Sequence, residues 1–247
     1  MFKLFLVSML VPLAVAPPAK TPTTVVLVHG AFADGSSWEK VIPLLQAKGL
    51  RVVAVQNPLT SLADDVAATR RAIDAQPGPV ILVGHSWGGT VITEVGVHDK
   101  VAALVYVAAY APGEGQSSSD LGKDGPTPPW LANIRPDGAG FLVLTPEVVA
   151  QDFAQDLPAA QTAVMAVTQG PILGKTFGEK VTTAAWKTKP SWYIVAEDDR
   201  MIPPDLERAM AKKINAKTTA LPTSHVPMLS RPTDVATVIL AATEAVR

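Results

Sequence analysis

The sequence predicts an α/β protein with a doubly wound, mostly parallel sheet and an inserted, mainly helical cap. Short β-branched runs alternate with amphipathic stretches of ten or more residues, which is typical of βαβ units with right-handed crossovers. The chain has 247 residues, of which 48% are hydrophobic, so it can bury one large core. Residues 111–189 interrupt the alternation for 79 residues and are therefore predicted to be an insertion.

The first part of the predicted core spans residues 21–110. Apolar runs predict four strands, over residues 25–28, 51–55, 79–83 and 101–108, and the continuous β-branched run over 25–28 is predicted to be buried on both faces. Apolar residues at helical spacing predict the helices between them, over residues 37–48, 62–75 and 86–97. Ser61 followed three residues later by Asp64 is typical of a capped helix start.

The second part of the core spans residues 190–247, and the cap lies between the two parts. Strands are predicted over residues 191–196 and 217–221, and helices over 205–214 and 233–246. The cap, residues 111–189, begins with a stretch rich in Pro and Gly. Its predicted helices cover residues 146–155, 158–168 and 177–185. We expect the cap to cover one edge of the sheet.

The N-terminal 20 residues are treated apart from the fold. Lys3 precedes an apolar run of 13 residues that ends in Ala14-Val15-Ala16. A helix needs about 20 apolar residues to span a bilayer, so no membrane span is expected. The pattern predicts a signal peptide over residues 1–20 and a periplasmic or secreted protein. Pro17 and Pro18 disfavour cleavage there, which leaves an uncleaved segment and a cytoplasmic location as the alternative.

Charge and cysteine content exclude several classes of function. The chain has 21 Lys and Arg against 22 Asp and Glu, so it lacks the basic excess that nucleic-acid binding requires. It has no cysteine, which excludes disulfides, thiolate metal sites and a cysteine nucleophile. We expect neither a metal nor another cofactor. The oligomeric state stays open.

A nucleophile is predicted at Ser86. The motif Gly84-His85-Ser86-Trp87-Gly88 follows a predicted buried strand and opens a predicted helix. G-x-S-x-G in this context is typical of a nucleophile elbow, in which side chains at the glycine positions would collide with neighbouring backbone. The N-terminus of the helix also favours negative charge that develops at the serine.

A serine hydroxyl needs a base, and histidine is the usual one. His225 lies in the loop between the last predicted strand and the last helix, at the sheet edge where ligand sites collect, and is predicted to be the base. His85 is expected to point away from Ser86 and to pack the turn. His98 is expected at a solvated helix end, and His29 is expected to brace the loop after the first strand.

The acid that orients the histidine is expected between Ser86 and His225, because strand–helix hydrolases have this order. Three adjacent acids, residues 197–199, follow a predicted strand. Asp199 is favoured because the turn into the next helix would direct it towards the end of the sheet. Asp198 is the second candidate and Glu114 a weaker one.

Two backbone N–H groups are predicted to form the oxyanion hole, those of Ala31 and Trp87. Ala31 follows the first strand and Trp87 follows the nucleophile. Phe32, Trp130 and Phe141, together with the Trp87 ring, are candidates for the wall of a substrate pocket. The alternative is that Trp130 and Phe141 pack only within the cap.

Four segments, VLVHGAF, VGHSWGG, EDDRMIPP and SHVPMLSRP, together resemble the α/β-hydrolase superfamily over residues 24–247. The sequence is most similar to the branch of plant methylesterases, hydroxynitrile lyases and bacterial esterases. The resemblance implies an α/β-hydrolase fold, favours Asp199 over Asp198, and implies that the cap lines the acyl or alcohol pocket. The lyases carry a lysine directly after the catalytic histidine. Val226 stands there in this chain, which argues against cyanogenic cleavage.

The sequence thus predicts a serine hydrolase that cleaves small or medium carboxylic esters with Ser86, His225 and Asp199. The expected partner is a small-molecule ester. A lactonase, amidase or perhydrolase with the same residues stays an alternative, as does a ligand-binding sensor with the same fold.

Overall fold

The computed structural model describes residues 23–123, 125 and 127–246. The predicted signal peptide over residues 1–20 lies outside these residues. Within them, no helix combines the length and the apolar character needed to cross a bilayer.

The first part of the core alternates strands and helices as the sequence predicts. The elements are β1 (Thr24–Val28), α1 (Ile42–Gln46), β2 (Arg51–Val55), α2 (Leu62–Asp74), β3 (Val80–Ser86), α3 (Trp87–Val95) and β4 (Val101–Ala109). The prediction of one continuous helix over residues 37–48 is wrong. A short 3-10 helix, Gly35–Trp38, precedes α1. Pro43 cannot donate a backbone hydrogen bond and is accommodated only in the first turn, so α1 begins at Ile42.

Short elements make up the insertion. They are α4 (Ser118–Gly122), β5 (Phe141–Leu142), α5 (Pro146–Val148), α6 (Ala159–Thr168) and β6 (Ile172–Leu173). A single π-helical turn, Val149–Phe153, extends α5, so the helices predicted over 146–155 and 158–168 are present. The sequence did not indicate α4, nor the antiparallel pair that β5 and β6 form.

The helix predicted over residues 177–185 is wrong. Only 3-10 turns occur at its ends, at Gly174–Gly178 and Ala185–Lys187. Between them the backbone N–H groups of Thr182 and Thr183 donate to the Glu94 carboxylate of α3, at 2.7 and 3.2 Å. Residues 181–183 of this segment, Val-Thr-Thr, are β-branched and favour helix only weakly. The tertiary hydrogen bonds outweigh that weak preference.

The second part of the core completes one six-stranded sheet. Its elements are β7 (Ser191–Ala196), α7 (Pro204–Lys213), β8 (Lys217–Leu221), α8 (Pro227–Ser230) and α9 (Pro232–Ala245). The strand order is β2-β1-β3-β4-β7-β8, and every neighbouring pair is parallel. The predicted doubly wound parallel sheet is therefore confirmed, with the direction of winding reversed between β1 and β3.

Helices cover both faces of the central strands, since every residue of β1 and β3 is buried. Val28 at the end of β1 pairs with Gly84 of β3. This register brings the loop after β1 next to Ser86. Ligand sites of open α/β sheets form at such a switch point, outside the carboxyl ends of the strands.

Candidate active site

Ser86 ends β3 and immediately precedes α3 in a strained backbone conformation. Its φ of 51° and ψ of −121° are rarely adopted by residues other than glycine. A Cβ on Gly84 would lie 2.6 Å from the Gly88 carbonyl oxygen, and a Cβ on Gly88 would lie 2.5 Å from that of Val28. The motif therefore needs glycine at both positions, because a side chain there would collide with neighbouring backbone, as predicted from the sequence. Ser86 is 8% exposed, so little of it reaches the surface.

His225 and Asp199 come together at the same edge of the sheet. The His225 Nδ1 lies 2.5 Å from Asp199 Oδ2, and both side chains are buried. The other Asp199 oxygen accepts from the backbone N–H groups of Met201, at 2.6 Å, and Ile202, at 2.9 Å. These hydrogen bonds fix the carboxylate. Because Nδ1 faces Asp199, it carries the proton and Nε2 of His225 is left as the acceptor.

The two other candidate acids lie elsewhere. Asp198 is exposed, and its backbone carbonyl accepts from Gln155 of the cap. Glu114 is also exposed and pairs with Lys187 at 2.9 Å. The structure thus places Asp199, and neither alternative, against His225.

The remaining histidines have structural partners. His85 Nε2 lies 2.8 Å from the backbone carbonyl of His225, and burial lowers the pKa of His85 well below its ordinary value. A neutral His85 that donates from Nε2 packs the turn as expected and also supports the loop of His225. His29 bonds the Gly30 carbonyl at 2.8 Å and accepts from the Asn57 N–H at 2.9 Å, so it braces the first loop. His98 bonds Asp74 at 2.9 Å.

The two amides predicted for the oxyanion hole flank Ser86. Ala31 lies in the loop after β1, where a Cβ on Gly30 would be only 2.7 Å from the Ser86 Cβ. Trp87 is the first residue of α3. Within the described part of the chain, neither N–H group donates to a backbone carbonyl outside its own element or to a side chain. Neither amide is therefore engaged by such an acceptor, as the predicted role in an oxyanion hole requires.

An aromatic cluster of Phe32, Trp87, Trp130 and Phe177 lies between the elbow and the cap. Ring centroids are 6.1 Å apart for Phe32 and Trp130, 6.4 Å for Phe32 and Phe177, and 5.7 Å for Trp87 and Phe177. The structure does not bring Phe141 to this cluster, because it lies in β5 opposite Leu173. Sequence reasoning missed Phe177, since nothing in its local pattern separates it from other cap aromatics.

Two cavities adjoin the aromatic cluster. The larger, about 970 Å³, is bounded by Tyr110, Leu121, Trp130 and Phe177 together with residues of α7. The smaller, about 290 Å³, is lined by Phe32 and by residues of α6. Their volumes span the range of small-molecule sites. Trp130 and Phe177 thus face the larger cavity and Phe32 the smaller one, and the aromatic cluster connects both to Trp87, the neighbour of Ser86.

Two carboxylates, one buried and one exposed, support the site and were missed by sequence reasoning. Asp65 of α2 accepts from Trp87 Nε1 and from the Leu59 N–H, both at 2.8 Å. Burial raises the pKa of Asp65 to about 6. Asp156 of the cap accepts from the N–H of Ser224 at 2.9 Å and from its hydroxyl at 2.5 Å. Both acids have the local sequence of solvated helix-end residues, so only the fold reveals these contacts.

Comparison with known proteins places this geometry in context. The chain matches the alpha/beta hydrolase family over residues 25–238. It is 31% identical to a pyrethroid hydrolase of Sphingobium wenxiniae, over 89% of this chain and 87% of that protein. It is 28% identical to methylesterase 3 of Arabidopsis thaliana, over 87% of this chain and 94% of that protein. A crystal structure of a pyrethroid hydrolase superposes with a TM-score of 0.80 at 27% identity, covering 91% of this chain and 98% of that one.

Proposed function

We propose that this chain, which belongs to the alpha/beta hydrolase family, is a serine hydrolase that cleaves carboxylic esters through an acyl-enzyme. The hydrogen bond of 2.5 Å between His225 and Asp199, at the sheet edge that also carries Ser86, is the observation that carries this proposal. Named hydrolases and methylesterases among the relatives agree with it.

Catalysis begins when the Ser86 hydroxyl attacks the ester carbonyl. The His225 Nε2 accepts the hydroxyl proton, and Asp199 stabilises the resulting imidazolium through Nδ1. The negative charge on the carbonyl oxygen binds to the N–H groups of Ala31 and Trp87. Collapse of the tetrahedral intermediate breaks the bond to the alcohol oxygen, which takes the proton from His225.

Deacylation repeats these steps with water. His225 removes a proton from the water molecule that attacks the Ser86 ester, and the same two amides hold the second oxyanion. When this intermediate collapses, the carboxylic acid leaves and Ser86 recovers its proton. Apart from this water molecule, every group in the cycle belongs to the chain or to the ester.

The substrate that best fits the cavities is a medium-sized ester with one bulky apolar arm. The larger cavity, about 970 Å³, accepts that arm against Trp130 and Phe177. The smaller cavity, about 290 Å³, accepts a short second arm on the side of Phe32. Val226, buried directly after His225, leaves no cation there to hold a cyanide leaving group.

The decisive experiment compares Ser86→Ala with the unchanged chain. We expect kcat on p-nitrophenyl acetate to fall by about 10⁴- to 10⁶-fold, with an unchanged melting temperature. Covalent labelling by a fluorophosphonate should disappear as well. Thr218→Ala, which removes an exposed hydroxyl of β8, is the matched control and should keep both labelling and activity.

Two results would overturn the proposal. One is an active Ser86→Ala variant, and the other is an unchanged chain that neither labels nor turns over any ester, as a ligand-binding sensor would behave. A panel of matched esters, lactones and amides, compared by kcat/KM, then assigns the bond that is cleaved.

A further inference from the structure

Glu207, in α7, is a fully buried acid with no part in the steps above. Its Oε2 accepts from the backbone N–H of Ala196 at 3.1 Å. Its Oε1 is buried and has no hydrogen-bond partner among the described residues. An ionised carboxylate with an unpaired oxygen in the protein interior is costly, whereas a protonated carboxyl has a proton to donate.

The neighbour that can accept this proton is Asp199. Ala196 ends β7, and it both donates to Glu207 and accepts from the Asp199 N–H at 3.3 Å, so both acids surround one turn. Burial and the proximity of Asp199 raise the pKa of Glu207 well above its ordinary value. Two carboxylates so close in the interior do not both ionise.

The surroundings decide which of the two acids holds the proton. Asp199 already accepts three hydrogen bonds, from His225 and from two backbone N–H groups, and these favour its ionised form. Glu207 accepts one. The hydroxyls of Tyr193 in β7 and Tyr110 after β4 also face this pair, and burial keeps both neutral by raising the pKa of each.

One cation faces Glu207 from α7, the Arg208 guanidinium. It lies at the surface, where it pairs with Asp205 at 2.9 Å and Glu197 at 3.4 Å. Its charge is therefore shared with exposed acids and is not available to offset an ionised Glu207 in the interior.

We propose that Glu207 retains a proton and donates a hydrogen bond from Oε1 to the Asp199 carboxylate, as a positioning residue for the acid behind His225. The function of this hydrogen bond is twofold. It restrains the Asp199 carboxylate on the side away from the histidine, and it keeps a single negative charge next to the imidazole. The catalytic part of this inference depends on the proposed serine hydrolase function, but the shared proton does not.

The test compares Glu207→Gln with Glu207→Leu. Glutamine keeps a neutral donor, so we expect kcat within about threefold of the unchanged chain. Leucine removes the donor at similar volume, and we expect kcat to fall about 10- to 100-fold with KM within about twofold. Asp198→Asn changes an exposed acid adjacent to Asp199 and should alter neither constant.

Infrared spectroscopy measures the proton directly. The unchanged chain at pH 7 should show the carbonyl band of a protonated carboxylic acid that both Glu207 variants lack. The band should persist in Ser86→Ala and in Asp198→Asn. Because this readout needs no turnover, it remains valid if the leucine variant fails to fold or if the proposed esterase activity is wrong.

Three outcomes would overturn the inference. The first is the absence of the infrared band from the unchanged chain at pH 7. The second is a glutamine variant with a kcat as low as that of a folded leucine variant. The third is a folded leucine variant as active as the unchanged chain, which would show that Asp199 needs no donor behind it.

Discussion

The carboxyl edge of the sheet and the cap are built in different ways. At the edge, backbone atoms from three strands and their loops meet at close range, and the polar groups of Asp199 and His225 are buried and paired. In the cap, β5 and β6 have two residues each, and Val164 and Val167 of α6 are 58% and 81% exposed. The candidate reacting groups thus lie in the closely packed region, while the cavities that would hold a substrate are bounded largely by short cap elements.

The two regions are joined at a few polar contacts. Trp130 Nε1 donates to the Met201 carbonyl at 3.1 Å, which ties the cap to the loop of Asp199. Asp156 holds Ser224, the neighbour of His225. Because these contacts reach the acid and histidine loops themselves, the cap can influence catalysis as well as selection. Four predictions test how far the difference between the regions extends.

The largest effect is expected at the edge, from Asp199→Asn. An asparagine does not stabilise the imidazolium and can hold His225 in the wrong tautomer, so kcat should fall by about 10³- to 10⁴-fold. The adjacent exposed acid gives the control, and Asp198→Asn should stay within about twofold. Ester hydrolysis by purified variants measures both. Similar losses in the two variants would contradict the assignment of Asp199.

Glycine substitutions compare how closely the two regions are packed. In Gly88→Ala the new Cβ would lie 2.5 Å from the Val28 carbonyl oxygen, so we expect a loss on the order of 3 kcal/mol in the free energy of unfolding. In Gly178→Ala, in the cap, the new Cβ meets no atom within 4 Å, and the change should stay within about 0.5 kcal/mol. Urea unfolding measures both. Equal losses of unfolding free energy in Gly88→Ala and Gly178→Ala would contradict the difference in packing between the sheet edge and the cap.

Asp65 lies where the elbow and the cap meet, since the Leu59 that it binds accepts from Leu173 of β6 at 2.9 Å. Burial raises its pKa to about 6 in the folded protein, against about 3.9 in an unfolded chain. The folded state therefore favours the protonated form. Stability from this group is fully present below about pH 4 and is lost as the pH rises through about 6, by on the order of 3 kcal/mol.

Asp65→Asn lacks this titration, so the stability of the unchanged chain relative to the variant should decrease between pH 4 and pH 7. Urea unfolding across that range measures the slope. Asp64→Asn is the adjacent control: hydrogen bonds from Thr60 and Ser61 lower the pKa of Asp64, so any slope should be small and of opposite sign. If the difference in unfolding free energy between the unchanged chain and Asp65→Asn does not change with pH, burial does not raise the pKa of Asp65.

The smallest effect is expected on selectivity. Trp130→Leu should lower kcat/KM about 10-fold for esters with a bulky apolar arm relative to an acetate ester, because the large cavity loses part of its wall. Phe141→Leu changes a cap aromatic outside the aromatic cluster and should leave that ratio unchanged. If Trp130→Leu and Phe141→Leu change this ratio of kcat/KM values equally, the wall of the large cavity does not determine ester selectivity.

Much of the core was predictable from local patterns. Strands β2 and β7 have the predicted bounds, and β7 illustrates why, because a parallel strand that is buried throughout is a continuous apolar run. Ser86 and His225 could be picked out because a short motif and a position between two elements identify them. The helices expected over 37–48 and 177–185 failed where a proline and a set of tertiary hydrogen bonds outweighed periodicity.

By itself the sequence determined the fold class, the elbow and the short set of residues that can carry the chemistry, since these follow from patterns within a few neighbouring residues. Tertiary structure decided which acid lies against His225, that Phe177 and not Phe141 joins the aromatic cluster, and that Asp65 and Glu207 are buried. The physical reason is that packing and desolvation depend on groups far apart in the chain. Glu207 and Asp199 are two similar acids in the sequence, and only the burial and the hydrogen-bond partners that the fold supplies distinguish them.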